Sequence, residues 1–172
     1  MLPSPESPES PETDHQEAYY RAYFGVDADY YLRKLAQYRA GTKITFNIGA
    51  FFFGIFWMLY RKLYVAGIMV IIALTLESYL LGMAIEYYKI SDGNAKLLNN
   101  LSTLFWSLLV GFLGNWLYLR QAEAKVNHAL EEEDNERDTV ARLAYEGNIT
   151  YIPHIIIAAL ILLLLLIFQF VS

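Results

Sequence analysis

Leu63 to Ile85, LYVAGIMVIIALTLESYLLGMAI, contains 23 residues of which one, Glu77, is charged. At about 1.5 Å of rise per residue such a helix reaches about 34 Å, enough to cross a hydrocarbon core of about 30 Å with some tilt. Leu97 to Leu119 and Ile149 to Val171 also contain 23 residues each. These three segments are predicted to span a membrane. Ile44 to Leu59 has only 16 residues, carries Gly49 and Gly54, and stops at the basic turn Tyr60-Arg61-Lys62. Its length leaves two readings open: a short spanning helix, or an element that enters and leaves on one side.

Lysine and arginine in short connections bias orientation toward the cytoplasmic side. Arg21, Arg33, Lys34, Arg39 and Lys43 precede the first hydrophobic segment, and Arg61 and Lys62 follow it. Lys89 and Lys96 lie in the next loop; Arg120, Lys125, Arg137 and Arg142 lie in the long connection. With four spans the two sides carry seven and six basic residues, which gives no bias. With residues 44–59 re-entrant or interfacial, the sides carry eleven and two. The expected fold class is therefore an all-α membrane protein of three spanning helices plus one short re-entrant or spanning segment. The N-terminus is expected to be cytoplasmic and the C-terminus outside; a bundle of four spans is the alternative.

An apolar fraction of 56% exceeds what a soluble domain of 172 residues usually carries. The formal charge of −5 comes largely from the N-terminal stretch and the run Glu131 to Asp138, while the basic residues sit beside hydrophobic segments. That pattern is a topology signal and not a nucleic-acid footprint. There is no cysteine, so thiolate chemistry and cysteine-ligated zinc are excluded. The extreme N-terminus lacks the basic start and apolar core of a cleavable signal. Residues 1–16 contain Ser4-Pro5-Glu6-Ser7-Pro8-Glu9-Ser10-Pro11-Glu12 and read as a disordered tail.

Residues 17–43 read as cytoplasmic amphipathic helices: one over Glu17 to Phe24, ended by Gly25, and one from an N-cap at Asp27 to about Arg39. The second places Tyr31, Leu32, Leu35 and Ala36 on one face, suited either to an anionic membrane surface or to packing on other helices. Residues 44–171 form the membrane domain. Within it, 120–147 is a cytoplasmic connection whose Ala122, Val126, Ala129 and Leu130, then Val140, Leu143 and Ala144, recur at three-and-four spacing, as in a helical hairpin or a helix leaving the membrane.

The run Phe46-Asn47-Ile48-Gly49-Ala50-Phe51-Phe52-Phe53-Gly54-Ile55-Phe56-Trp57-Met58-Leu59-Tyr60-Arg61-Lys62-Leu63-Tyr64 resembles the bacterial membrane family known as domain of unknown function 2628. Phe24-Gly25 with Tyr30-Tyr31-Leu32 is similar to the family's lead-in, and Gly114-Asn115-Trp116-Leu117-Tyr118 to the end of its third hydrophobic segment. Glu146-Gly147-Asn148-Ile149-Thr150 is loosely similar to its glycine-rich entry to the last helix. The resemblance covers about Tyr23 to Ala129. It implies a bacterial inner-membrane setting and no biochemical activity. Some relatives carry an N-terminal zinc ribbon, which the proline-rich stretch replaces here, so no metal carries over.

No catalytic, cofactor-binding or metal-ligating set is identified, and no enzyme activity is expected. Glu77 is the sharpest single residue, because a carboxylate near mid-membrane is costly and marks a functional-site hypothesis. Counted from the cytoplasmic ends it lies level with Trp106 and Ser107, either of which could donate to it. Asn115 and His154 are expected at similar depth, in reach of a shared hydrogen bond. Trp57 and Tyr60 suit anchoring or lipid contact, and Arg61 with Lys62 suits anionic phosphates at the headgroup level. The expected partners are the bilayer and either a membrane protein or further copies of the chain. Two functions are compatible with these residues: a scaffold or accessory subunit of a membrane assembly, and a small oligomeric transporter or channel built on Glu77.

Overall fold

A computed structural model describes residues 11–171, and all its regular structure is helical. In chain order the helices are α1 (Pro11–Phe24), α2 (Ala28–Arg39), α3 (Ile48–Tyr60), α4 (Tyr64–Tyr87), α5 (Asp92–Glu132), α6 (Glu136–Glu146) and α7 (Ile152–Val171), with a 3-10 turn at Gly25–Asp27. Helix α1 begins at Pro11, inside the stretch read from composition as a tail; residues 1–10 lie outside the described residues. His15, placed in that tail by the sequence, is helical and lies 3.1 Å from Glu136 of α6.

Two compact units divide the chain. One holds the described residues up to Gln37 together with Leu119–Asn148; the other holds Tyr38–Tyr118 and the described residues from Ile149 on. Helix α5 contributes residues to both. Its 41 residues are about twice the number a single crossing takes.

The first unit closes around aromatic side chains. Tyr20, Tyr23, Phe24, Tyr31 and Leu35 are buried with Ala122, Val126 and Ala129 of α5 and Leu143 of α6. Tyr31 and Leu35 thus spend the apolar face of α2 on this core, the packing alternative for that helix. The Phe24 and Tyr31 rings stack 5.3 Å apart, and Gln121 Nε2 donates to the Tyr23 hydroxyl at 2.9 Å. Burial pushes the Tyr23 phenol up to about 12, against the opposing hydrogen bond from Gln121. The unit is stitched through main chain too: Asn148 N–H donates to the Tyr23 carbonyl at 2.6 Å. At Gly147 a Cβ would collide with that same carbonyl, so glycine is required there. This gives the Glu146-Gly147-Asn148 stretch a structural role.

Around the α5–α6 turn Asn135 caps α6, accepting from Asp138 N–H at 2.9 Å. Arg142 pairs with Glu132, Glu133 and Glu146, and Lys125 with Glu146. Part of the acidic run is therefore consumed by a local ion network. For Glu146, partial burial pushes the carboxyl up, and the hydrogen bonds from Lys125 and Arg142 outweigh it and leave it below the ordinary value. The same carboxylates raise the Arg142 guanidinium.

In the second unit α4, α5 and α7 are long and apolar enough to cross a membrane, and α3 is a shorter apolar helix. Asn47 opens α3: its side chain accepts from Ala50 N–H at 2.8 Å, and its own N–H donates to the Gly111 carbonyl at 2.8 Å. Helix α3 breaks at Gly54, whose φ of 49° and ψ of −118° suit glycine alone. It ends at Tyr60, where Lys62 with φ 56° turns the chain and Leu63 N–H returns to the Met58 carbonyl at 2.8 Å.

Both ends of α3 attach to one stretch of α5. Asn47 Nδ2 donates to Asn115 Oδ1 at 2.7 Å, and beyond the other end the Arg61 guanidinium lies 5.4 Å from the Tyr118 ring. The stretch of α5 from Gly111 to Tyr118, seven helical steps, covers about 10 Å, about half the span of an unbroken 13-residue helix. Two glycines of α5 make the approach close. A Cβ at Gly111 would stand 2.8 Å from the Phe46 ring, and one at Gly114 would stand 2.7 Å from Ala50 Cβ.

Candidate functional site

The polar side chains of the second unit fall into three places. The first is the buried joint under α3. Asn115, fully buried, accepts from Asn47 and donates through Nδ2 to Thr45 Oγ1 at 2.9 Å and, less closely, to the Thr45 carbonyl at 3.3 Å and the Phe46 carbonyl at 3.4 Å. These bonds tie the start of α3 to α5, which is a structural use. The expected Asn115–His154 pairing does not form. His154 Nε2 lies instead 3.0 Å from the Phe56 carbonyl. A carbonyl only accepts, so Nε2 carries the proton. The break at Gly54 and the short length of α3 bring its second half, not Asn115, to α7.

The second place is an aromatic cup of about 500 Å³ lined by Gly49, Phe53, Phe56, Trp57, Tyr60, Arg61, Tyr151 and His154. Trp57 is 7% exposed, packed on Gly49 and Gly114 and edge-on to Tyr118, so its ring is part of the core. Arg61 is 5% exposed, with its guanidinium over the Tyr60 and Tyr118 rings. Planar stacking on aromatic faces suits arginine and not lysine, and Lys62 is the half-buried member of the pair. Thr150 N–H donates to the Tyr60 carbonyl at 3.0 Å, holding the entry of α7 beside the turn. The His154 Nδ1 is buried here with no hydrogen-bond partner.

The third place is a groove of about 570 Å³ whose wall is formed by α3, α4 and α5. Glu77 and Ser78 enter it from α4, and Asn99, Ser102, Thr103, Trp106, Ser107 and Val110 from α5. Ser102 Oγ donates to Glu77 Oε1 at 2.8 Å. Trp106 and Ser107 line the groove, and the donor to Glu77 is Ser102, one turn away. Short antiparallel connections set the register. Glu77 stands ten residues before Tyr87, the end of α4, and Ser102 ten residues after Asp92, the start of α5. Counting from that turn finds the pair; counting from the far ends, where segment limits are ambiguous, misses it.

Sequence reasoning also missed the stripe itself. Asn99, Ser102, Thr103, Trp106 and Ser107 recur at three-and-four spacing, one face of a helix. A polar stripe on an otherwise apolar helix was legible and points toward a neighbour. Asn99 and Thr103 satisfy donors within α5, to the Ala95 and Asn99 carbonyls at 3.0 and 2.9 Å. The Trp106 indole N–H is buried without an acceptor. Among the described residues no group of three His, Cys, Asp or Glu side chains gathers to hold a metal.

A helical chain with three segments able to cross a membrane, and a carboxylate facing hydroxyls in a groove along them, defines a class of polytopic membrane-type proteins. Within that class the chain belongs to the family described as protein of unknown function (DUF2628), which matches residues 13–123. The matched stretch takes in α3, α4, the groove and all but the last turns of α5, and it begins earlier than the resemblance over Tyr23 to Ala129 suggested. No curated protein and no solved structure matches the chain.

Proposed function

We propose that this chain is a scaffold or accessory subunit of a bacterial inner-membrane assembly, held in the bilayer by three crossings and by α3 as a re-entrant element, with its N-terminus cytoplasmic. The observation that carries the reading is the closure of the first unit by residues from before α3 and from the last part of α5 onward. Asn148 N–H and Gln121 Nε2 reach the backbone and hydroxyl of Tyr23 at 2.6 and 2.9 Å. No bilayer passes between atoms so close, so the number of crossings between Tyr23 and Gln121 is even. With α4 and α5 supplying two, this supports the reading in which α3 supplies none. The attachment of both ends of α3 to Gly111–Tyr118, and its break at Gly54, support the same reading. A closed helical unit carried by such an anchor suits a subunit that presents or retains a partner.

A photocrosslinker at Tyr145, 84% exposed on α6, tests this in cells at native expression. The expected outcome is one defined crosslinked band containing a second membrane protein in fixed stoichiometry. Recovery of the chain only as an uncrosslinked monomer would contradict it. The groove favours a second reading, a small oligomeric transporter, because Glu77 shares its wall with several polar side chains.

A further inference from the structure

The geometry points to the groove between α3, α4 and α5 as a binding site for a lipophilic organic cation, with the Glu77 carboxylate as its counter-ion and the aromatic walls as its bed. Glu77 is the sole ionisable group among the residues lining the groove. It is half-buried near the middle of α4 and accepts a hydrogen bond from Ser102. A carboxylate at that depth is stabilised by a proton or by a positive charge, and no Lys, Arg or His of the lining provides the charge.

The walls favour an organic cation over an inorganic one. Phe51, Phe52, Phe56 and Trp106 border the same space, and aromatic faces attract cations, most strongly when water is excluded. Hard metal cations instead require a shell of oxygen ligands, and the acidic ligands for one do not gather here. A volume of about 570 Å³ lies in the range of drug-sized ligand sites and is far larger than a bare ion. Phe52 is 72% exposed, so an apolar ligand can reach the groove from the lipid side. The site stands whether the chain serves as scaffold or as carrier, since binding alone is claimed.

The test is equilibrium dialysis of tetraphenylphosphonium against the full chain in mild detergent. Saturable binding of one cation per chain is expected, weakened about tenfold or more by Glu77→Gln, which keeps size and hydrogen bonding but loses the charge. Glu77→Asp should retain most of the affinity, and Trp106→Leu should lower it several-fold. Helicity and gel-filtration profile should be unchanged across the set. Absence of saturable binding, equal binding by the Glu77→Gln protein, or displacement of the probe by sodium at low millimolar concentration would each overturn the proposal. Because the Tyr145 crosslink reports only on the partner, failure here leaves the scaffold reading to stand or fall separately.

Discussion

At the scale of single residues, glycines decide where backbones touch. Gly147 passes the Tyr23 carbonyl so closely that any Cβ collides with main chain, which cannot move aside as a flexible side chain can. Gly82 in α4 faces nothing within 4 Å. Gly147→Ala should therefore loosen the first unit, with a cost of about 1–3 kcal/mol, while Gly82→Ala should be neutral or slightly stabilising. Limited proteolysis at the α6–α7 connection checks the pair: faster cleavage is expected for Gly147→Ala alone. Equal resistance of both variants would remove Gly147 from its assigned role. The buried polar residues follow a similar logic. Asn115 and Glu77 both looked functional in the sequence, since each is a polar side chain in an apolar run. The structure separates them by their surroundings: Asn115 is fully used in joining α3 to α5, while Glu77 opens onto unfilled space.

At the scale of elements, α3 carries the argument. Its composition, with Phe51, Phe52, Phe53, Phe56 and Trp57, announces an apolar helix, and its 13 residues make it shorter than the other three. The sequence therefore reveals the ambiguity of the element, but neither its break at Gly54 nor its docking on α5. That docking depends on tertiary partners: Gly111 and Gly114 on α5, the Asn47–Asn115 bond, and the stacking of Arg61 on Tyr118. None is adjacent in sequence, so local patterning cannot show them. Helix α5 illustrates the same limit. The periodic Ala122, Val126 and Ala129 after a hydrophobic segment were readable as a hairpin or as a continuation, and the structure combines both, one helix to Glu132 followed by the return of α6. Gly54→Ala follows as a prediction for this scale. There is room for the methyl, so any effect comes from the positive φ, at a cost of about 1–3 kcal/mol. The variant should lower the thermal midpoint of the detergent-solubilised protein more than Gly82→Ala does; identical midpoints would mean that the break is not held.

At the scale of the whole molecule, the proposed topology draws on charge and on geometry separately. The distribution of lysine and arginine favours eleven against two only when α3 returns to the side it left. The bonds from Gln121 and Asn148 to Tyr23 support the same proposal without reference to charge. The most direct test uses the absence of native cysteine: single cysteines at Thr42, Asp92 and Asn135 are labelled in intact and in permeabilised cells with a membrane-impermeant maleimide. The account predicts that Thr42→Cys and Asn135→Cys react only after permeabilisation, and that Asp92→Cys reacts in intact cells. Labelling that places Thr42 and Asn135 on opposite faces would contradict it and make α3 a fourth span.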